Sequence, residues 1–153
     1  MIAIASLSQA DLRSEITAFN KKVEKAAKAK DAKGAEDAYK NFVTSDFKYV
    51  PKGKPQTFKT FIGLFKASIT MTDKVTSSST RIISLKEGGN SASSELEKRM
   101  TGTMVMPPDK KIHTMDWTGH FTEEYRKVGG KWKVTTMTEG KQKFLVDGKP
   151  FKM

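Results

Sequence analysis

Apolar residues fall at Leu12, Ile16, Phe19, Val23, Ala26 and Ala27, steps of four and three that trace one face of a helix. The opposite face carries Lys21, Lys22, Lys25 and Lys28. Ser8, with Asp11 three residues on, has the form of a capping box with Asp in place of Glu. The pattern predicts a first helix over about residues 9–30. Asp31 can cap a second, shorter helix striped by Ala35, Ala38, Tyr39 and Phe42, with Gly34 weakening its first turn. Residues 46–50 alternate like a short strand, and Pro51-Lys52-Gly53-Lys54-Pro55 turns the chain. Thr57 caps a third helix whose stripe is Phe58, Phe61, Ile62, Phe65 and Ile69.

From Asp73 onward the period changes. Residues 75–85 are rich in Thr, Ser, Ile and Val and predict a strand. Gly88-Gly89-Asn90, Pro107-Pro108-Asp109 and Gly129-Gly130 are turn signals. They divide the C-terminal part of the chain into strands over 91–106, 111–128 and 131–138, and the tail 141–151 offers a short edge strand around Asp147-Gly148. Helices first and strands after predict an α+β domain with a curved antiparallel sheet around its helices, about three helices and four to six strands.

The long strand over 111–128 sorts its residues by parity. Met115, Trp117, Phe121, Glu123 and Tyr125 share one face with Gly119. Thr114, Asp116, Thr118, His120, Thr122, Glu124 and Arg126 share the other. The aromatic face is expected to be buried and the polar one to meet water or a second subunit, unless a bulge near Gly119 swaps the register.

The chain has 153 residues, enough for one domain with a single core. It has no cysteine, which excludes disulfides, thiolate nucleophiles and Cys-based metal sites. No apolar run approaches the roughly 18 residues of a membrane span, so no membrane insertion is expected. The net charge of +11 is spread over the chain and comes from 24 Lys against four Arg. Nucleic-acid sites favour clustered charge and forked Arg contacts, so the excess predicts a solubilising surface and no specific nucleic-acid site. Residues 1–7 are expected to be disordered or the remnant of a trimmed signal, since Ala3-Ile4-Ala5 has the small-x-small form of a cleavage site.

His113 and His120 lie an odd number of residues apart on one strand, hence on opposite faces, and cannot share a metal. Asp116 and His120 are about 13 Å apart along a strand, too far for a dyad. The serines at 77–79, 91, 93 and 94 lie in strand patterns without a nucleophile elbow, and the paired glycines fit turns and not a phosphate loop. No metal or cofactor is expected. Met100, Met104, Met106, Met115 and Met137 fit either core filling or an adaptable lining for an apolar ligand.

The run from His120 through Gly129-Gly130-Lys131-Trp132 to Val134, with Asp46 to Gly53 upstream, resembles signatures of the nuclear-transport-factor-2-like superfamily. The resemblance covers nearly the whole chain and implies a cone with an open mouth. Its members include isomerase-like, polyketide-cyclase-like and dehydratase-like enzymes as well as non-catalytic proteins, so it implies no single activity. Isomerase-like members place a general-base carboxylate before the Pro of the Pro-x-Gly turn, where this chain has Val50. They also place a carboxylic acid on the long strand, where Glu123 stands. The likeness to short exported members adds an expectation of export from a bacterial cell.

These readings converge on a pocket formed by Tyr49, Met115, Trp117, Phe121, Glu123, Tyr125 and Met137. Binding of a small hydrophobic molecule or a partner without catalysis is the first expectation. An isomerase- or dehydratase-like enzyme using Glu123 with Tyr49, Tyr39 or Tyr125 is the second, and a polyanion-binding protein the third. Superfamily members often dimerise through the outer sheet face, so a homodimer through that face is also expected.

Overall fold

The computed structural model describes residues 2–152, with side chains from Leu12 onward. Three helices, the third set between the first two strands in the chain, cover a curved sheet: α1 (Ile2–Lys28), α2 (Ala32–Phe42), β1 (Val43–Val50), α3 (Phe58–Met71), β2 (Thr72–Gly88), β3 (Ser91–Met106), β4 (Lys111–Val128), β5 (Lys131–Val146) and β6 (Lys149–Pro150). The order across the sheet is β1-β5-β4-β3-β2. β2 to β5 form an antiparallel meander, β1 lies parallel to β5 at one edge, and β6 folds back on the end of β5.

Local chemistry accounts for most boundaries. The Asp31 carboxylate accepts from the Gly34 N–H at 2.8 Å and the Thr57 hydroxyl from the Thr60 N–H at 3.3 Å, as N-caps do. Gly129 and Gly130 both take positive φ, the conformation a two-residue hairpin turn requires. The first boundary differs from the sequence reading, because α1 begins at Ile2 and contains Ser8 instead of starting there. The Ala3-Ile4-Ala5 reading concerns side chains outside the described residues.

Strand lengths also differ. β1 begins at Val43, directly after α2, and β2 extends to both sides of 75–85. β5 continues past Thr138 to Val146, taking in the first part of the tail expected to form a separate short edge strand. Its alternation is broken twice: Glu124 pairs with Thr136 but Tyr125 with Val134, and Phe121 pairs with Glu139 but Gly119 with Gln142. Each break inserts one extra residue into β5 and none into β4. β4 therefore keeps strict alternation, and Met115, Gly119, Phe121, Glu123 and Tyr125 are all buried. Edge strand β2 carries three register shifts of its own, which curl it and interrupt its free edge.

The core forms where α1 and α2 meet this inner face. Leu12, Ile16 and Phe19 of α1 and Tyr39 and Phe42 of α2 pack with Leu96, Tyr125, Trp132 and Val134. Phe19 stacks on Phe42 at 4.3 Å, and Tyr39 meets Phe61 edge-on at 5.0 Å. This packing closes one end of the cone. Among the described residues, no helix is long and apolar enough to cross a membrane.

Candidate functional site

The inner face is a stack of cross-strand rows. From the closed end, the rows on β3, β4 and β5 are Ser94–Glu123–Met137, Leu96–Phe121–Glu139, Lys98–Gly119–Gln142 and Met100–Trp117–Phe144. The helices fill the space above the first rows and leave the later ones uncovered. The result is a cavity of about 540 Å³. Its wall includes Met100, Met104, Met106 and Met115 from the sheet and Phe65 and Ile69 from α3. Leu64, Met71 and Phe151 also belong to the wall and are at least 39% exposed, which puts apolar side chains at the mouth. The size falls within the range of small-molecule sites.

Tyr49, Met115, Trp117, Phe121 and Met137 of the sequence-predicted pocket stand on this wall. Glu123 and Tyr125 lie deeper, outside the lining. Glu123 is 1% exposed. Its Oε1 accepts from the Tyr125 hydroxyl at 3.0 Å, and that hydroxyl lies 2.8 Å from the Ser94 Oγ. Its Oε2 has no hydrogen-bond partner. Burial lifts the Glu123 carboxyl above the ordinary carboxylate range, outweighing the Lys98 charge and the Tyr125 hydrogen bond, which pull it down. Burial without a partner for Oε2 favours the neutral acid at this site. Burial also raises the Tyr125 and Tyr39 hydroxyls, with the Glu123 charge as the next cause.

The polar groups on the wall are different ones. Tyr49 is raised by burial and by donating to the Glu139 carboxylate beside it. Gln142 accepts from the Trp117 indole N–H at 2.9 Å and donates to the His120 carbonyl at 3.4 Å. Gly119 makes this possible, since a Cβ there would stand 2.5 Å from Trp117 Cζ2 and 2.7 Å from Gln142 Oε1. Lys98 is half-buried, with its ammonium 5.3 Å from the centre of the Phe121 ring.

Sequence reasoning did not single out Glu139, Gln142 or Lys98. Glu139 faces inward because of the first β5 bulge, which no local signal marks, whereas the second bulge returns Gln142 to the parity of Trp132 and Val134. Lys98 did carry a signal, because it shares the parity of Leu96, Met100 and Met104 on β3.

The histidines are held apart. His113 Nδ1 lies 2.6 Å from Asp147 Oδ2, and Nε2 lies 3.2 Å from Asp109 Oδ2. These two carboxylates raise its pKa. His120 faces outward and meets Glu97 at 3.1 Å. Among the described residues, no group of three or more His, Cys, Asp or Glu side chains is arranged to hold a metal ion.

No protein-family model and no curated protein matches the chain. Solved structures do. A type 2 LinA, a hexachlorocyclohexane dehydrochlorinase, superposes with a TM-score of 0.69 at 11% identity, over 96% of this chain and 93% of that one. An NTF-2 like protein of unknown function from Shewanella oneidensis gives 0.60 at 14% identity, over 84% and 98%. An NTF2-like protein from Cytophaga hutchinsonii gives 0.57 at 16% identity, over 83% and 95%. The fold is nuclear-transport-factor-2-like. At these identities the likeness is one of fold, and the chemistry of the NTF2-like cone must be read from its own wall.

Proposed function

We propose that this NTF2-like protein binds a small, mostly apolar molecule in the cone cavity and releases it unchanged. The observation that carries this reading is the cavity itself: about 540 Å³, walled by methionines and aromatics and open at an apolar mouth. Against catalysis through Glu123 stands its position below the lining, with the nearest hydroxyl already engaged. The position before Pro51 offers Val50 and no base.

The test is a thermal-shift and native mass-spectrometry screen of the whole chain against apolar small molecules. Met104→Trp is the cavity-filling control. Binding to the wild type, its loss in the folded variant and recovery of the ligand with unchanged mass are expected. Binding that survives Met104→Trp would place the site elsewhere, and a product of altered mass, or of equal mass but altered structure by NMR, would replace this reading with an enzymatic one.

A homodimer through the outer sheet face belongs to the same proposal. Several charges on that face are already paired within the chain: Arg99 with Asp116 at 2.9 Å, Arg126 with Asp46 at 3.1 Å and His120 with Glu97. The threonines between them are left to pack against a second sheet. A dimer of moderate strength is expected by light scattering at micromolar concentration, and a mass of one chain that does not change on concentration refutes it. The polyanion reading is weaker. Arg81, Arg99 and Arg126 are held by carboxylates and are not free to fork onto phosphates.

A further inference from the structure

We infer that the ligand is an amphipathic carboxylic acid, its carboxylate seated on Lys98 and its apolar body lying along the methionine wall. This inference rests on the cavity-binding reading above and adds the ligand's chemical class. Lys98 is the lysine on the cavity wall, and among the described residues no carboxylate lies within 4.0 Å of its ammonium. A half-buried ammonium keeps some of its three donors unsatisfied unless something enters to accept them.

The charged groups around it do not fill that role. Glu123, one of the carboxyls that feel its charge, is held toward its neutral form by burial. Glu139 stands one row deeper and accepts from Tyr49. Glu24 reaches the wall from the helical side, on α1. Arg99 turns to the outer face, where Asp116 holds it through two hydrogen bonds at 2.9 and 3.3 Å.

The room for a ligand beside Lys98 is the cavity that it lines. Its cross-strand neighbour Gly119 is covered by Trp117 and Gln142, which hold each other through the indole N–H and so leave neither group turned to the ammonium as an anion. A carboxylate here would accept charge-assisted hydrogen bonds from Lys98 beside apolar walls, where such bonds are stronger than in open water. The following row begins with Met100, and Met104 lies beyond it on the same strand face, so an attached chain would pass from a cationic seat onto flexible apolar side chains.

The experiment compares dodecanoate, dodecanol and dodecylammonium by titration calorimetry on the whole chain at physiological salt. Lys98→Met, Lys98→Glu and the exposed control Lys86→Met are measured alongside, and Lys98→Arg provides a conservative replacement. The wild type is expected to prefer the acid over the alcohol by about 10- to 100-fold, the range of a hydrogen bond to a charged group. Lys98→Met is expected to lose that preference and Lys98→Glu to shift it toward the amine, while Lys86→Met and Lys98→Arg keep it. Equal binding of acid and alcohol by the wild type overturns the inference without any variant. A preference that survives Lys98→Met, or falls equally in Lys86→Met, overturns it as diffuse attraction to a basic protein. Binding of the alcohol alone leaves the cavity reading standing and refutes the acid, whereas binding of none of the three refutes both.

Discussion

Replacing Glu123 with Gln tests the energetics of the closed end. The side chain is fully buried, with one oxygen bonded to Tyr125 and the other without a partner. Gln keeps the shape and the acceptor for Tyr125 and cannot ionise. Burial raises the folded-state pKa of Glu123 above its ordinary value of 4.5. Proton linkage sets the sign of the effect. Between the ordinary value and the raised one, the unfolded chain has released this proton and the folded chain still holds it, so rising pH favours unfolding. One proton of difference corresponds to about 1.4 kcal/mol per pH unit. For a domain of this size that amounts to about 3–6 °C in Tm per unit. Other titrating groups contribute equally to both proteins and cancel in the difference. Urea denaturation at steps from about pH 5 upward is the assay. Glu123→Gln is expected to gain on the wild type by about 1.4 kcal/mol per unit and then level off where the folded carboxyl ionises. Parallel stability curves, or a wild type that gains on the variant as pH rises, would refute the claim that a neutral carboxyl is buried here.

Leu96→Ala removes a fully buried side chain beside Phe121 and is expected to cost about 2–5 kcal/mol in urea denaturation; a cost below about 1 kcal/mol would mean that the row collapses freely. Gly102→Ala drives a methyl onto the Lys74 backbone carbonyl, whereas Gly119→Ala meets the Trp117 side chain, which can swing away. The first is therefore expected to cost more in Tm, and the second to shift tryptophan emission, with the reverse order counting against the packing described. His113 is held in its charged form by Asp147 and Asp109, so its contribution is complete below the ordinary His pKa and lost as pH rises through the elevated folded value. His113→Gln is expected to lower Tm more in acid than in base, with a raised pKa in the NMR titration of the ring protons; an equal cost at every pH contradicts the double carboxylate clamp.

What could be read from the sequence was what is decided locally. Asp31 and Thr57 cap helices because a side chain within one turn of a free N–H suffices. The buried face of β4 was legible because its alternation holds unbroken from Met115 to Tyr125. The inward turn of Glu139 was not, because the strand pattern stops at Thr138, and only pairing with β4 carries β5 onward with a bulge that sets Glu139 inward. Glu123 was legible as a buried acid. That it lies below the cavity depends on how Tyr39 and Phe42 fill the closed end, a matter of long-range packing.

The two extra residues in β5 bear on how relatives of this protein are compared. The first insertion reverses which alternate positions face inward, and the second restores the original parity, so only Met137 and Glu139 are inward on the reversed set. A gap misplaced by one residue near Thr135 or Gly140 would align the Glu139 side of β5 with solvent-facing positions of another cone, and the cavity residues of the two proteins would look unrelated even where their shapes agree. Conversely, deletion of the extra residue at either point would remove the bulge and keep the same side chains facing the cavity. In this fold a bulge lets β5 absorb a one-residue length change without changing its lining, and alignments of the strand are best anchored on the pairing with β4.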